Sequence, residues 1–274
     1  MLDLSGPDAA IARARAAAAV AEGIETLVVV GGDGTAHLGA NIVAGTATRL
    51  LVVAAGTGND LATHLGLPVR DPAAAVALLR SGRTRSIDAG RVRRDGAPDQ
   101  WFAGVLGAGF DAVVAARAER MRWPHGHLRY LLAVLRELPV FRPIPYTVTL
   151  DGHRLETRAM LVTVANTTSF GGGMQVSPAA VDDDGLLDVM IVHELSMSAF
   201  LRVFPRVYSG THVTHPAVEQ HRAAHVRLEA DGIRSQADGE PFADLPVDVE
   251  VVPGALRVVV PADPGTHTER KVAP

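Results

Sequence analysis

Two short segments have the residue types and spacing for phosphate chemistry. Gly31-Gly32-Asp33-Gly34-Thr35 follows an apolar run at 26–30, and Gly56-Thr57-Gly58-Asn59-Asp60 follows another at 50–54. A glycine-rich corner between a buried strand and a helix leaves backbone N–H groups unpaired, and the helix dipole favours an anion beside them. Either corner alone is equally a tight turn. Two of them on adjacent parallel strands face the same sheet edge, where α/β proteins bind ligands, and together they predict a nucleotide site. A lysine-bearing P-loop is excluded, because the only lysine is Lys271. A dinucleotide fingerprint of the form G-x-G-x-x-G is absent as well.

Carboxylates beside glycine form the second group. Asp-Gly occurs at Asp33, Asp95, Asp151, Asp184, Asp231 and Asp238, and a hairpin turn is the default for each. The stretch "MRWPHGHLRYLLAVLREL" sets Arg120, Arg122, Arg129 and Trp123 beside an apolar stripe. Arginine with tryptophan suits an anionic membrane surface. The helical spacing of Leu128, Leu131, Leu132, Leu135 and Leu138 also reads as core. His125 and His127, two apart around a glycine, read as loop histidines and not as metal ligands.

The elements that must position these groups change character along the chain. Residues 8–22 read as an Ala-rich helix stopped by Gly23. Residues 26–30 are short, β-branched and continuously apolar, which predicts a strand buried on both faces. A short helix over 36–44 and a buried strand over 50–54 follow. Asp60 reads as the N-cap of the next helix. Asp71, Pro72 and Gly82 bracket another with a full set of start and stop signals. Strand and helix alternate up to about residue 84, which predicts a parallel α/β sheet. Beyond "RSIDAGRV" the segments are short, β-branched and turn-bounded, which predicts an antiparallel β domain. Helical stretches interrupt it around 112–138 and 197–209. No internal repeat is found.

The bulk properties narrow the function classes. The chain has 274 residues, 47% of them hydrophobic, room for one large or two medium domains. A net charge of −4 gives no global attraction to nucleic acid, and none is expected as a partner. With no cysteine, disulfides, a thiolate nucleophile and a cysteine zinc site are ruled out. No apolar run approaches the roughly 20 residues of a membrane-spanning helix, and the N-terminal residues lack the apolar core of a signal peptide. A cytoplasmic protein meeting a membrane from its surface is the expectation.

"GGDGT" followed by "AAGTGNDLATHLGLP" resembles the diacylglycerol kinase catalytic-domain family of lipid kinases. The likeness continues through "SIDAGRV", "GAGFDA", "NTTSFGGGMQVSPAAVDDDGLLDV" and "QADGEP", in order, over about residues 8–260. "RAERMRWPHGHLRYLLAVLREL" and "VFPRVYSGTHV" resemble its actinobacterial branch. The resemblance implies a Rossmann-like α/β nucleotide domain (1–86), an antiparallel β-sandwich lipid and metal domain (87–252), and an active site in the cleft between them. It also implies a C-terminal strand and tail (253–274) that return to the first domain. Members usually open with a further strand and helix carrying Asn-Pro, which is absent here. A threonine often used for ATP would align near Asp3, and His37-Leu38 stands where many members have Asn-Glu.

By the same resemblance, ATP and Mg²⁺ are the cofactors. Gly31, Gly32, Asp33, Gly34, Thr35, Thr57, Gly58, Asn59 and Asp60 would form the nucleotide site. Asp33, Asp60 and Asp111 would make an acidic cluster, so that a carboxylate holding Mg²⁺ replaces the P-loop lysine. Asp184 with the main-chain carbonyls of Val181 and Leu186 would hold a further Mg²⁺ by oxygen ligands alone. Glu240 occupies the position of the general base, with Asp238 a close alternative that the sequence does not separate. The implied reaction transfers the γ-phosphate of ATP to the hydroxyl of diacylglycerol, giving phosphatidic acid. Sphingosine- or ceramide-type acceptors and a non-catalytic nucleotide- or lipid-binding protein are the alternatives. NAD kinases share GGDGT but are disfavoured by "GTGNDLA" and "DDGLLDV". Whether the chain forms a homodimer is left open.

Overall fold

The computed structural model describes residues 3–6, 8–93, 98–121, 123, 127–138 and 140–262. Asp8 starts α1 (Ala9–Ala21) by accepting the Ile11 N–H at 2.8 Å. Parallel strands β1 (Thr26–Gly31) and β2 (Arg49–Ala54) follow, joined by α2 (Asp33–Val43). α2 begins at Asp33, three residues earlier than its sequence suggests. Gly34 lies in the first turn, where N–H groups have no helical acceptor in any case. α3 (Asp60–His64) comes next. α4 (Pro72–Ser81) is capped by Asp71, whose carboxylate accepts the Ala74 N–H at 3.0 Å.

Two long strands carry the chain out of this layer. β3 (Arg83–Val92) returns antiparallel to the last strand, β13 (Val247–Val260), along most of its length. Near its end β13 lies parallel to β2 at Arg257 and Val258. Its first half pairs with β10 (His225–Glu229). The antiparallel part contains β4 (Gln100–Phe102), β5 (Val105–Gly109), β6 (Ile144–Leu150), β7 (His153–Ala165), β8 (Leu187–His193) and β9 (Val218–Ala223). The hairpin of β11 (Arg234–Ala237) and β12 (Glu240–Asp244) completes it. Helices α5 (Phe110–Arg120), α6 (His127–Glu137) and α7 (Met197–Val203) interrupt these strands. The sheet runs β1-β2-β13-β10-β6-β7-β5-β11-β12, with β3 and β4 branching from β13 and β8 and β9 from β7.

This sheet wraps onto itself. Phe102 of β4 and Phe242 of β12 lie far apart in strand order, yet their rings meet at 6.3 Å, nearly perpendicular. One apolar cluster, with Leu50, Leu51, Ile87 and Leu256 fully buried, underlies the α/β part. Another, with Phe102, Leu106, Leu187, Ile191 and Leu228, fills the β part. Full burial of each such side chain contributes about 1.5–3 kcal/mol. The observed class is therefore α/β joined to antiparallel β.

Two local expectations are corrected. β1 is not buried on both faces: Val30 is 63% exposed, and Val28 is exposed too. Val28 and Val30 line an open cavity beside α1 and α4, so that face of β1 is only partly covered. Asn59, not Asp60, occupies the N-cap of α3, and it makes no capping bond. Its amide is already engaged with Gly56, accepting that residue's N–H at 3.2 Å and donating to its carbonyl at 3.0 Å.

Candidate active site

The two glycine corners touch. A Cβ on Gly32 would lie 3.2 Å from Gly56 Cα, and one on Gly56 would lie 2.8 Å from Gly32 N. Any side chain larger than hydrogen would force the corners apart. Their contact brings the start of α2 against the start of α3, where Asp33 Oδ1 accepts the Asp60 N–H at 2.7 Å. Gly58 leaves room for the Asp33 carboxylate, since a Cβ there would collide with Oδ2. Burial first, and then the neighbouring Asp60 charge, push the Asp33 pKa up to about 6.

The β11–β12 hairpin supplies the opposite wall. Its turn is Asp238-Gly239, with φ of 53° and 86°, positive values that aspartate tolerates better than most residues. Asp238 Oδ1 accepts the N–H groups of Gly104 (2.9 Å) and Val105 (3.1 Å), while Oδ2 accepts that of Ala103 (3.2 Å). His37 Nδ1 meets Oδ2 at 2.9 Å. On the other side of His37, the Asn41 amide is oriented by Trp101, donating to its carbonyl at 2.8 Å and accepting its N–H at 2.9 Å. Asn41 Nδ2 gives its other proton to the main-chain carbonyl of His37 at 3.0 Å and lies 3.2 Å from His37 Nε2. Asp238 is thus consumed by structure. Two residues on, Glu240 reaches the N terminus of α2, where a Cβ on Gly34 would lie 3.3 Å from its carboxyl carbon and closer still to Oε1.

A second set of bonds closes the cleft from the side. Asp60 accepts the N–H groups of Gly172 (2.7 Å) and Gly173 (2.8 Å), clamping the glycine loop between β7 and β8 to α3. His64 Nε2 meets Asp182 Oδ2 at 3.0 Å, and Arg85 pairs with Oδ1. Burial opposes ionisation of Asp182, but the His64 hydrogen bond and Arg85 outweigh it and hold the pKa down. Asp88 of "SIDAG" accepts the N–H groups of Gly185 (2.7 Å) and Gly254 (2.8 Å). The resulting cleft holds about 280 Å³ and is lined by Asp33, Gly34, Asp60, Asp238 and Glu240, among others.

Known proteins match on both halves of this arrangement. Residues 3–92 match the diacylglycerol kinase catalytic domain, and residues 104–260 match the YegS C-terminal NAD kinase beta sandwich-like domain. A diacylglycerol kinase of Mycobacterium tuberculosis is 41% identical over 262 residues, covering 95% of this chain and 85% of its own. The chain belongs to the family of diacylglycerol kinases and YegS-like lipid kinases. A probable YegS-like lipid kinase of Stenotrophomonas maltophilia is 31% identical, with 90% and 82% of the two chains covered. The crystal structure of a putative diacylglycerol kinase from Bacillus anthracis superposes with a TM-score of 0.71 at 23% identity, covering 91% and 84%, a likeness of fold. Membership of a kinase family implies ATP use.

Within this lipid kinase fold the expected site residues divide. Asp33, Gly34, Asp60, Asp238 and Glu240 line the cleft together. Gly31, Gly32, Gly58 and Asn59 shape the corners behind it. Thr35 faces a different cavity, beside β1 and α1, and Thr57 is exposed at its corner. The side chain of Asp111 lies outside the described residues, as do those of His125, His127, Leu128, Arg129 and Leu131. Val181, Asp184 and Leu186 sit on a separate turn before β8. There Asp184 Oδ1 accepts the Leu186 N–H at 3.1 Å, and Oδ2 pairs with Arg222.

Among the described residues no three His, Asp or Glu side chains gather as a metal site, and the pair that could take a divalent cation with help from a substrate is Asp33 with Asp60. Asp33 has a raised pKa and an acidic neighbour in Asp60, so a cation would relieve both. Mg²⁺ is characteristically held by one or two carboxylates plus substrate phosphates. At Asp184 both carboxylate oxygens are already engaged, by the Leu186 N–H and by Arg222, so a cation there would have to displace Arg222.

His37, Asn41, His64, Asp88 and Asp182 were not singled out for these roles by the sequence. Only the i, i+4 spacing of His37 and Asn41 on α2 offered a signal.

Proposed function

We propose that this chain is an ATP- and Mg²⁺-dependent lipid kinase that phosphorylates the hydroxyl of diacylglycerol, giving phosphatidic acid, at a membrane surface. The observation that carries the reading is the approach of Glu240 to Gly34. It sets a carboxylate beside the N terminus of α2, next to Asp33. The unpaired N–H groups there suit phosphate oxygens, and Glu240 is placed to accept the proton of an attacking hydroxyl. Glu240 is the base in this reading because Asp238 is bound by three backbone donors and His37. Mg²⁺, held by Asp33, would neutralise charge on the transferring phosphate. Val181, Asp184 and Leu186 are proposed as a second Mg²⁺ position, in which the ion takes the place of Arg222 on Asp184.

An apolar cavity supports a lipid acceptor. It holds about 100 Å³ and is lined by Phe110, Met160, Met174, Phe200 and Phe204, and Phe170 belongs to both its wall and that of the cleft. The choice of diacylglycerol follows the Mycobacterium tuberculosis relative, which bears that name over nearly the whole chain.

Labelled ATP supplied with diacylglycerol, sphingosine and ceramide in separate mixed micelles tests the acceptor, and phosphatidic acid is the expected product. Glu240→Gln should keep nucleotide binding and lower kcat by about 10²-fold or more, because the loss falls on the chemical step. Normal turnover in that variant with the true acceptor would remove Glu240 from the mechanism.

A further inference from the structure

The three helices that interrupt the β part pack into one cluster through Phe110, Val114, Met121, Val134, Leu138 and Phe200. Aromatic rings continue outward from it. Phe141, Phe110, Phe200 and Phe204 follow one another at 5.1–5.4 Å, and Tyr208 lies 6.5 Å beyond, half exposed. The inner face of α7 lines the apolar cavity with Phe200 and Val203. Its outer face bears Met197 and Leu201, one helical turn apart and both nearly half exposed. Trp123, at 75% exposure, stands two residues beyond Met121. Val140 stands two residues beyond Leu138, and Leu135 is exposed on α6.

Single exposed apolar residues are ordinary, but a group of large ones on one substructure marks a contact surface. Charge indicates what it contacts. Residues 110–142 and 195–209 hold eight arginines against three carboxylates, in a chain of net charge −4. One of those carboxylates, Glu137, is buried and paired with Arg117. Apolar side chains within an arginine-rich surround suit an anionic bilayer surface, and tryptophan favours its interface. Among the described residues no helix can span a bilayer, so the contact is peripheral.

We propose that the α5–α6–α7 cap is the membrane-docking face. Trp123, Leu135, Val140, Met197, Leu201 and Tyr208 enter the interface of an anionic bilayer and bring the apolar cavity over the lipid. This rests on the lipid-kinase reading for its purpose but not for its test.

The full chain is sedimented with vesicles of phosphatidylcholine, alone or mixed with phosphatidylglycerol, while tryptophan emission is recorded. Binding to the anionic vesicles with a blue shift that disappears in Trp123→Phe is expected. Met197→Gln combined with Leu201→Gln should lower the partition coefficient about tenfold or more. Arg202→Gln should weaken anionic binding about fivefold and leave neutral vesicles unaffected. Melting temperature and phosphorylation of a water-dispersed short-chain diacylglycerol should be unchanged in all of them. Equal vesicle binding by wild type and the Met197/Leu201 variant would overturn the proposal. So would failure of the wild type to bind anionic vesicles, or a change from dimer to monomer in that variant without loss of vesicle binding. Vesicle binding through this face without phosphorylation of any lipid would refute the kinase reading and leave the docking face standing.

Discussion

Gly34→Ala separates stability from catalysis at a single atom. The new Cβ would lie 3.3 Å from the Glu240 carboxyl carbon and collide with Oε1. Restoring an ordinary separation of about 3.5 Å requires the carboxylate to withdraw by roughly 1 Å. The obstacle is the end of a flexible side chain, so the fold can absorb it. α2 itself gains slightly from the change, by less than the roughly 0.5–1 kcal/mol that separates alanine from glycine in a helix interior, because Gly34 lies in its first turn. Displacing a reacting group by about 1 Å can lower the rate about 10²-fold, close to 2.7 kcal/mol of barrier. Melting temperature should therefore hold or rise slightly while kcat falls. Steady-state label transfer beside thermal melting reads both. In a double-mutant cycle, Gly34→Ala added to Glu240→Gln should cost little more than Glu240→Gln alone, since both act on one group. Wild-type kcat in a folded Gly34→Ala protein would refute the placement of Glu240 at this corner.

Asp33 titrates near pH 6 in the folded chain, above its ordinary 3.8. Its ionised form is thus a cost that grows as pH rises through that window and is complete above it. Asp33→Asn should raise the melting temperature of the metal-free protein at pH 7, with the gain shrinking towards pH 4, and abolish most turnover; a pH-independent melting difference would contradict this assignment. Asp238→Asn replaces an acceptor of three N–H groups and should destabilise the fold by about 1–3 kcal/mol, read by denaturant unfolding. Full stability with lost turnover would instead return the base to Asp238. Asp184→Ala should blunt the Mg²⁺-induced rise in melting temperature, and Arg222→Gln should enlarge it by removing the competing cation; unchanged responses in both would leave Asp184 as half of an ion pair.

What could be read in the sequence was local or periodic. The cap of α4 is decided within a few residues, because the Asp71 side chain reaches only the N–H groups of the turn it begins. The order of motifs likewise carried the family, and with it the fold class. Partners distant along the chain were a different matter. Residues 26–30 are apolar enough for a strand buried on both faces, yet nothing in them tells whether a neighbour covers β1, and Val28 and Val30 stand exposed. The 36–44 helix had its start hidden by glycines that only the end of a helix tolerates. Asp238 and Glu240, two residues apart, were interchangeable as bases on paper. Wrapping of the sheet brings the 103–105 corner and His37, some 200 positions away in sequence, onto Asp238 and leaves Glu240 facing Gly34. Whether a carboxylate is held as an anchor is decided by the donors that surround it, and those donors assemble only when the chain folds.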